Sequence, residues 1–93
     1  MRESTIEKHL VKSIKAIGGG CYKWSGPGDR GKPDRLILMP DGLTVFVELK
    51  APGKRPSKLQ RYWLEKLSAL GFDARVIDTL EGVDELIQEL EKR

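Results

Sequence analysis

The stretch VFVELKAPGKR, residues 45–55, begins with the alternating pattern of a β-strand and ends in a turn followed by basic residues. Its aliphatic and aromatic residues indicate a strand that the core needs. The face of this strand that carries Phe46 continues with Glu48 and Lys50, because side chains two residues apart point to the same side. A carboxylate and an ammonium therefore lie where a small domain needs apolar side chains, which raises the question of a functional site.

The composition is that of a small globular domain. The chain has 93 residues, of which 39% are hydrophobic and 33% charged, so we expect residues 1–93 to form one domain with a core of limited size. No apolar run approaches the length of a membrane span, and the N-terminal residues MRESTIEKHL lack the apolar core of a signal peptide. We therefore expect no membrane association and an intracellular location, in the cytoplasm of a bacterial-type or virus-infected cell.

The scarcity of cysteine and histidine narrows the chemistry. Cys21 is the only cysteine and His9 the only histidine, which excludes an intrachain disulfide and argues against a zinc site built from these residues. A metal ion would be held mainly by oxygen, which favours Mg²⁺ or Mn²⁺.

The apolar spacing predicts a mixed sheet flanked by helices, with the element order α-β-β-β-α-β-α. Helices are predicted over residues 6–17, 57–70 and 83–90, and strands over residues 21–24, 34–39, 43–50 and 74–78. A turn at Pro40-Asp41-Gly42 joins the second and third strands into an antiparallel hairpin, and residues 25–31 form a loop. The fourth strand follows its helix closely, so it is expected to run parallel to a neighbour.

Two acidic residues are expected to meet at the open end of this hairpin. Asp34 begins the second strand and Glu48 lies near the end of the third, at comparable distances from the turn. Both carboxylates can then bind one hard cation, and the peptide carbonyl of Leu49 is a further candidate ligand. Lys50 lies about 6.5–7 Å beyond Glu48 on the same face. This combination suits phosphodiester hydrolysis, in which a metal ion lowers the pKa of water and the ammonium stabilises the developing oxyanion.

Three segments and one helical glutamate extend this pattern. They are GKPDRL (residues 31–36), VFVELKAPG (residues 45–53), SKLQRYWLEKL (residues 57–67) and Glu7. With Pro33-Asp34 followed by Glu48-Leu49-Lys50, the sequence resembles the PD-(D/E)xK nuclease superfamily and, more closely, the VRR-NUC family of virus-type replication-repair nucleases. The resemblance covers about residues 7–78, nearly the whole chain.

This resemblance implies an α/β restriction-endonuclease-like fold, with an αβββαβ core and an added C-terminal helix. It implies that Asp34 and Glu48 bind Mg²⁺ or Mn²⁺, without any small-molecule cofactor, and that Lys50 is the catalytic lysine. Glu7 and Gln60 would complete the site, Glu7 as a further metal ligand. Family members of this size are similar in being homodimers that act on branched DNA, including four-way junctions.

Helix capping offers a rival explanation for two of these residues. Ser4-x-x-Glu7 and Ser57-x-x-Gln60 both fit the capping box, in which the two side chains bond to the first turn of a helix. On local grounds capping is the better explanation for both, and only the family resemblance raises them as site residues. The two roles are also compatible if they alternate with metal occupancy.

The other site residues have simpler alternatives as well. Asp34 alternatively caps a turn or pairs with Arg30 or Arg35. Glu48 and Lys50, taken alone, would form a solvated charge pair worth under about 1 kcal/mol.

The basic residues fall into three groups, on a chain whose net charge is +3 and whose pI is about 9.1. Lys8, Lys12 and Lys15 share one helical face, which is equally well explained as a solvated face. The other two groups border the proposed metal site and are expected to contact DNA phosphates without reading bases. They comprise Arg30, Lys32, Arg35, Lys54, Arg55, Lys58 and Arg61.

Two other functions fit parts of the same sequence. One is a non-catalytic or non-specific DNA-binding domain that retains the nuclease fold, and the other is a small protein whose basic face contacts an acidic partner. The sequence itself supports a homodimer only weakly, since Trp63 and Val83 suggest more apolar surface than one small domain buries.

Overall fold

The computed structural model describes residues 1–24 and 30–93, so most of the loop predicted over residues 25–31 lies outside the described residues. The helices are α1 (Glu3–Ala16), α2 (Lys58–Ala69) and α3 (Leu80–Glu91), and the strands are β1 (Gly20–Lys23), β2 (Arg35–Leu38), β3 (Thr44–Leu49) and β4 (Asp73–Ile77). This order confirms the predicted succession of elements. None of the described helices has the length and apolar character that a membrane crossing requires.

The strands form one mixed sheet in the order β1-β2-β3-β4. Strands β1 and β3 both pair antiparallel with β2, and β4 pairs parallel with β3. The hairpin between β2 and β3 closes through Asp41 (φ 69°) and Gly42 (φ 82°), which adopt the left-handed backbone that aspartate and glycine tolerate. The predicted hairpin and the predicted parallel fourth strand are both confirmed.

The core lies between one face of the sheet and the helices α1 and α3. It consists of Ile37, Val45, Val47, Leu49 and Ile77 from the sheet, with Ile6, Leu10, Ile14, Val83, Leu86 and Leu90 from the helices. Burial of each such side chain contributes about 1.5–3 kcal/mol. The inference that Val83 exceeds the apolar surface that one domain can bury is wrong. This side chain is completely buried in the core, where α3 packs against the rest of the domain.

The opposite face of the sheet carries Phe46 and Glu48, and α2 covers it only in part. Phe46 packs against Trp24 and Phe72, with ring centroids 4.8 and 5.3 Å apart, and Trp24 meets Trp63 edge-on at 6.4 Å. Several apolar side chains around this cluster stay substantially exposed. They form what we term the exposed apolar face: Leu38, Tyr62, Leu70 and Phe72.

Candidate active site

The carboxyl groups of Asp34 and Glu48 lie together where β2 begins and β3 ends. Arg35 pairs with Val47, so one further step in the antiparallel register brings Asp34 opposite Glu48. Asp34 Oδ2 accepts a hydrogen bond of 2.8 Å from the amide of Leu49, which holds this carboxylate across the end of β3. The expected meeting of the two carboxylates is therefore observed, although Asp34 directly precedes β2 and is not part of it.

Glu48 is a buried carboxylate on a strand that is otherwise apolar. Its side chain is 1% exposed, and its Oε2 lies 3.3 Å from the Nζ of Lys50. The pKa of Glu48 is raised from 4.5 to about 7, chiefly by burial and then by the negative charge of Asp34, while the hydrogen bond from Lys50 opposes both effects. The alternative that Glu48 and Lys50 form a solvated charge pair is thus excluded, since Glu48 is buried and water does not screen its charge.

Lys50 is fixed from two sides. Its backbone amide donates a hydrogen bond of 3.1 Å to the carbonyl of Ile77, which extends the pairing of β3 with β4 just past the end of β3. Its side chain returns to Glu48 and is largely shielded from solvent. Leu49 lies between these two residues and turns its own side chain into the core; the predicted role of its carbonyl as a ligand stays a prediction.

This donor set fits a hard divalent cation. Glu48 Oε1 is buried without a hydrogen-bond partner among the described residues, a costly state that a cation or a proton would relieve. Within residues 1–24 and 30–93, no three side chains of Asp, Glu, His or Cys come together as a ready-made metal cage. Mg²⁺, however, keeps several water ligands and commonly takes only one or two carboxylates, which Asp34 and Glu48 supply.

The side chain of Glu7 forms an ion pair and does not cap α1. Helix α1 begins at Glu3, its N-cap Arg2 has no side-chain capping bond, and the proposed capping box of Ser4 and Glu7 is therefore wrong. Glu7 Oε2 instead accepts a hydrogen bond of 2.9 Å from Arg35, whose side chain is only 13% exposed. Arg35 also donates to the Cys21 carbonyl at 3.2 Å, so β1, β2 and α1 are joined at this point.

Gln60 does form the capping box that the sequence predicted. The amide of Ser57 donates to Gln60 Oε1 at 2.8 Å, and the amide of Gln60 donates to Ser57 Oγ at 3.2 Å. The two side chains thereby begin α2 just after the turn that follows β3.

A cavity of about 420 Å³ brings several of these residues together. Its walls include four residues that the sequence predicted for the site and three others: Glu7, Lys32, Asp34 and Gln60, with Lys23, Trp24 and Gly31. Gly31 has a φ of 80°, and a Cβ atom there would lie 2.4 Å from Leu59 Cγ, so only glycine lets the chain pass α2 this closely. Sequence reasoning did not identify Lys23 or Trp24, because neither belongs to the motif.

The residues predicted to contact phosphate differ in their availability. Lys32 lies 5.0 Å from the ring centroid of Trp24 and 5.2 Å from that of Trp63, at the edge of the cavity. The guanidinium of Arg35 is already engaged by Glu7, and Arg61 donates to the Pro56 carbonyl at 3.2 Å. The remaining predicted contacts are exposed: Arg30, Lys54, Arg55 and Lys58. Phosphate binding by this set stays a prediction.

Comparisons with known proteins relate the chain to one domain family. The model of the VRR-NUC domain matches residues 4–79. The chain is 48% identical over 79 residues to a protein of Acyrthosiphon pisum secondary endosymbiont phage 1 that is named "Putative nuclease p44", with 85% of each chain covered. It is also similar to a solved structure described as a VRR_NUC domain, with 31% identity, a TM-score of 0.86, and coverage of 92% of this chain and 94% of the other.

Proposed function

Because this chain belongs to the VRR-NUC domain family and is a nuclease domain on that basis, we propose that it is a metal-dependent endonuclease that hydrolyses phosphodiester bonds in branched DNA. Four-way junctions are the first substrate to test, and Mg²⁺ or Mn²⁺ is the metal ion. Residues 1–93 act as one domain in the cytoplasm.

One observation carries the metal dependence. Glu48 Oε1 is buried and unsatisfied among the described residues, and the negative charge of Asp34 is close enough to raise the pKa of Glu48. A divalent cation bound there would make water more acidic and would offset negative charge on the scissile phosphate. Such a cation would also remove the repulsion between the two carboxylates, so their arrangement favours metal binding.

The protein's own residues then position and stabilise the reacting groups. Asp34 and Glu48 would hold the metal ion, and the bond from the Leu49 amide keeps Asp34 from turning away. Lys50 is placed to stabilise negative charge that develops on the phosphate oxygens, because its ammonium is already held at Glu48. Arg35 holds Glu7 at the wall of the cavity, where Glu7 can orient water or a further ligand.

A homodimer is supported by the exposed apolar face. Leu38 and Phe72 from the sheet side, with Tyr62 and Leu70 from α2 and its C-terminal end, remain exposed, and Leu70 is 66% exposed. Large apolar side chains that stay exposed near one face are typical of an interface. A two-fold dimer would present two active sites, which the paired incisions of a symmetric four-way junction require.

The proposed activity is tested by mapping cuts in labelled linear, flap and four-way DNA with Mg²⁺, Mn²⁺ or EDTA. We expect cuts at symmetric positions across the four-way junction, little cutting of linear duplex, and none in EDTA. The mass in solution, measured by light scattering, should be that of a dimer. Equal cutting of all three substrates would contradict the branched-DNA preference, and cutting in EDTA would contradict the metal requirement.

Two substitutions can separate a role of Gln60 in cleavage from its role in capping α2. We expect Ser57→Ala and Gln60→Ala each to lower the free energy of unfolding by about 1 kcal/mol, because each removes one half of the capping box. Only Gln60→Ala should lower the cleavage rate per folded molecule, by about tenfold, since Gln60 and not Ser57 lines the cavity. Equal cleavage rates for the two variants would assign Gln60 to the cap alone.

A further inference from the structure

A second, basic cavity adjoins the cavity of about 420 Å³ that Asp34 lines, which we call the catalytic cavity. It measures about 500 Å³ and lies between α1, the edge strand β1 and the neighbouring strand β2. We call it the basic groove; its walls are Glu7, Lys8, Val11, Lys12, Lys15, Lys23 and Arg35. The tertiary structure thus adds Lys23, from β1, to the three lysines that share one face of α1.

The charge of the basic groove is not neutralised by the protein. Glu7 is the one acidic residue in its walls, and its carboxylate forms an ion pair with Arg35. None of Lys8, Lys12, Lys15 and Lys23 forms an ion pair with another described residue, and all four are exposed. Four ammonium groups therefore face solvent together, an arrangement that favours a polyanion.

The basic groove also adjoins the catalytic cavity. Glu7 and Lys23 line both cavities, so a DNA strand that passes the catalytic cavity at these residues would come next to the basic groove. Lys8 and Lys15 are seven residues apart on α1, which is about 10.5 Å along a helix axis. That length equals the axial rise of about three nucleotides of one DNA strand. Val11 is the only residue in the walls with a wholly apolar side chain.

We propose that the basic groove binds the phosphate backbone of the DNA arm that continues beyond the scissile bond. This inference rests on the proposed nuclease function and adds to it the path of the substrate on the α1 side. Lys54 and Arg55 lie on the connection between β3 and α2, and Lys58 begins α2, so the DNA would be held from two sides of the active site. The lysines of α1 would position the arm without reading its sequence.

The test is the salt dependence of DNA binding, measured in EDTA so that binding is separated from cleavage. For the triple variant Lys8→Ala/Lys12→Ala/Lys15→Ala, the slope of log K against log salt concentration should fall in magnitude by about 2.7, which corresponds to three lost phosphate contacts. In cleavage with Mg²⁺, the loss should appear mainly in KM. Alanine favours helix formation, so α1 is retained; unchanged circular dichroism checks this.

The matched control is Lys92→Ala/Arg93→Ala, which removes positive charge after α3, near the end of the sheet opposite Asp34 and Glu48. It should leave the salt slope unchanged. If the triple variant keeps the parent's slope and KM while cleavage proceeds, the groove proposal is overturned and the nuclease proposal stands. If the triple variant weakens binding but the parent never cleaves, the nuclease proposal fails and the groove stands. A parent that binds no DNA overturns both.

Discussion

Lys50→Ala is expected to lower metal-dependent DNA cleavage by about 10²–10³-fold, the usual effect of removing one group that stabilises charge in the transition state. The ammonium lies 3.3 Å from Glu48 Oε2, at the edge of the proposed metal site, and no other described cation forms an ion pair with Glu48. DNA binding in EDTA should change little, since the exposed lysines and arginines supply most of the phosphate contacts. Single-turnover cleavage of four-way DNA measures the chemical step apart from product release.

Lys50→Met and Lys92→Ala are the controls for this result. Lys50→Met keeps the aliphatic part of the side chain and should be as inactive as Lys50→Ala, which attributes the loss to the charge. Lys92 is exposed after α3 and should be dispensable. Unchanged cleavage by Lys50→Ala would disprove the catalytic assignment. A parent that binds DNA but never cuts it would favour the non-catalytic DNA-binding domain instead.

Metal-free protein is expected to become less stable as the pH rises from about 4.5 to about 7, with a loss of about 3 kcal/mol in the free energy of unfolding. The pKa of Glu48 is raised from its ordinary value of 4.5 to about 7, chiefly by burial. The folded state therefore holds a proton that the unfolded state has released in this interval. The stabilising effect of that proton is complete below the unfolded pKa and disappears as the pH passes the folded pKa. Chemical denaturation in EDTA at a series of pH values measures it.

Glu48→Gln should remove this pH dependence, because glutamine has a similar shape and carries no charge. In EDTA at pH 8 the variant should be more stable than the parent, by up to about 3 kcal/mol, while its cleavage activity is lost. Added Mg²⁺ should stabilise the parent and have little effect on the variant, since the cation binds only a folded site that holds both carboxylates. Equal stabilisation of both proteins by Mg²⁺ would show that Glu48 does not bind the metal ion.

Local patterns explain why much of the fold could be predicted. The short apolar runs of β2 and β3 and the turn at Asp41-Gly42 set the hairpin, and the hairpin sets the register. Asp34 and Glu48 must then meet, because they are equidistant from a tight turn. The cap of α2 is equally local, since Ser57 and Gln60 are separated by three residues.

Glu7 shows where local reasoning fails. Its spacing from Ser4 fits a capping box, yet α1 begins earlier and Arg35, 28 residues away in sequence, takes the carboxylate. Val83 was misjudged for the same kind of reason, because its burial depends on how α3 packs against α1 and the sheet. Neither contact leaves a periodic signal within one segment.

The sequence by itself determined the elements, the hairpin register and the convergence of Asp34, Glu48 and Lys50. One short turn fixes the pairing that brings Asp34 to Glu48, and the two-residue period of a strand places Glu48 and Lys50 on the same face. Only the tertiary structure decided that Glu48 is buried with an unsatisfied oxygen and that the lysines of α1 lie beside Lys23 of β1. Burial and shared surfaces arise from the packing of segments that are distant in the chain. Such packing is set by shape and solvent exclusion across the whole molecule, which no single stretch of sequence records.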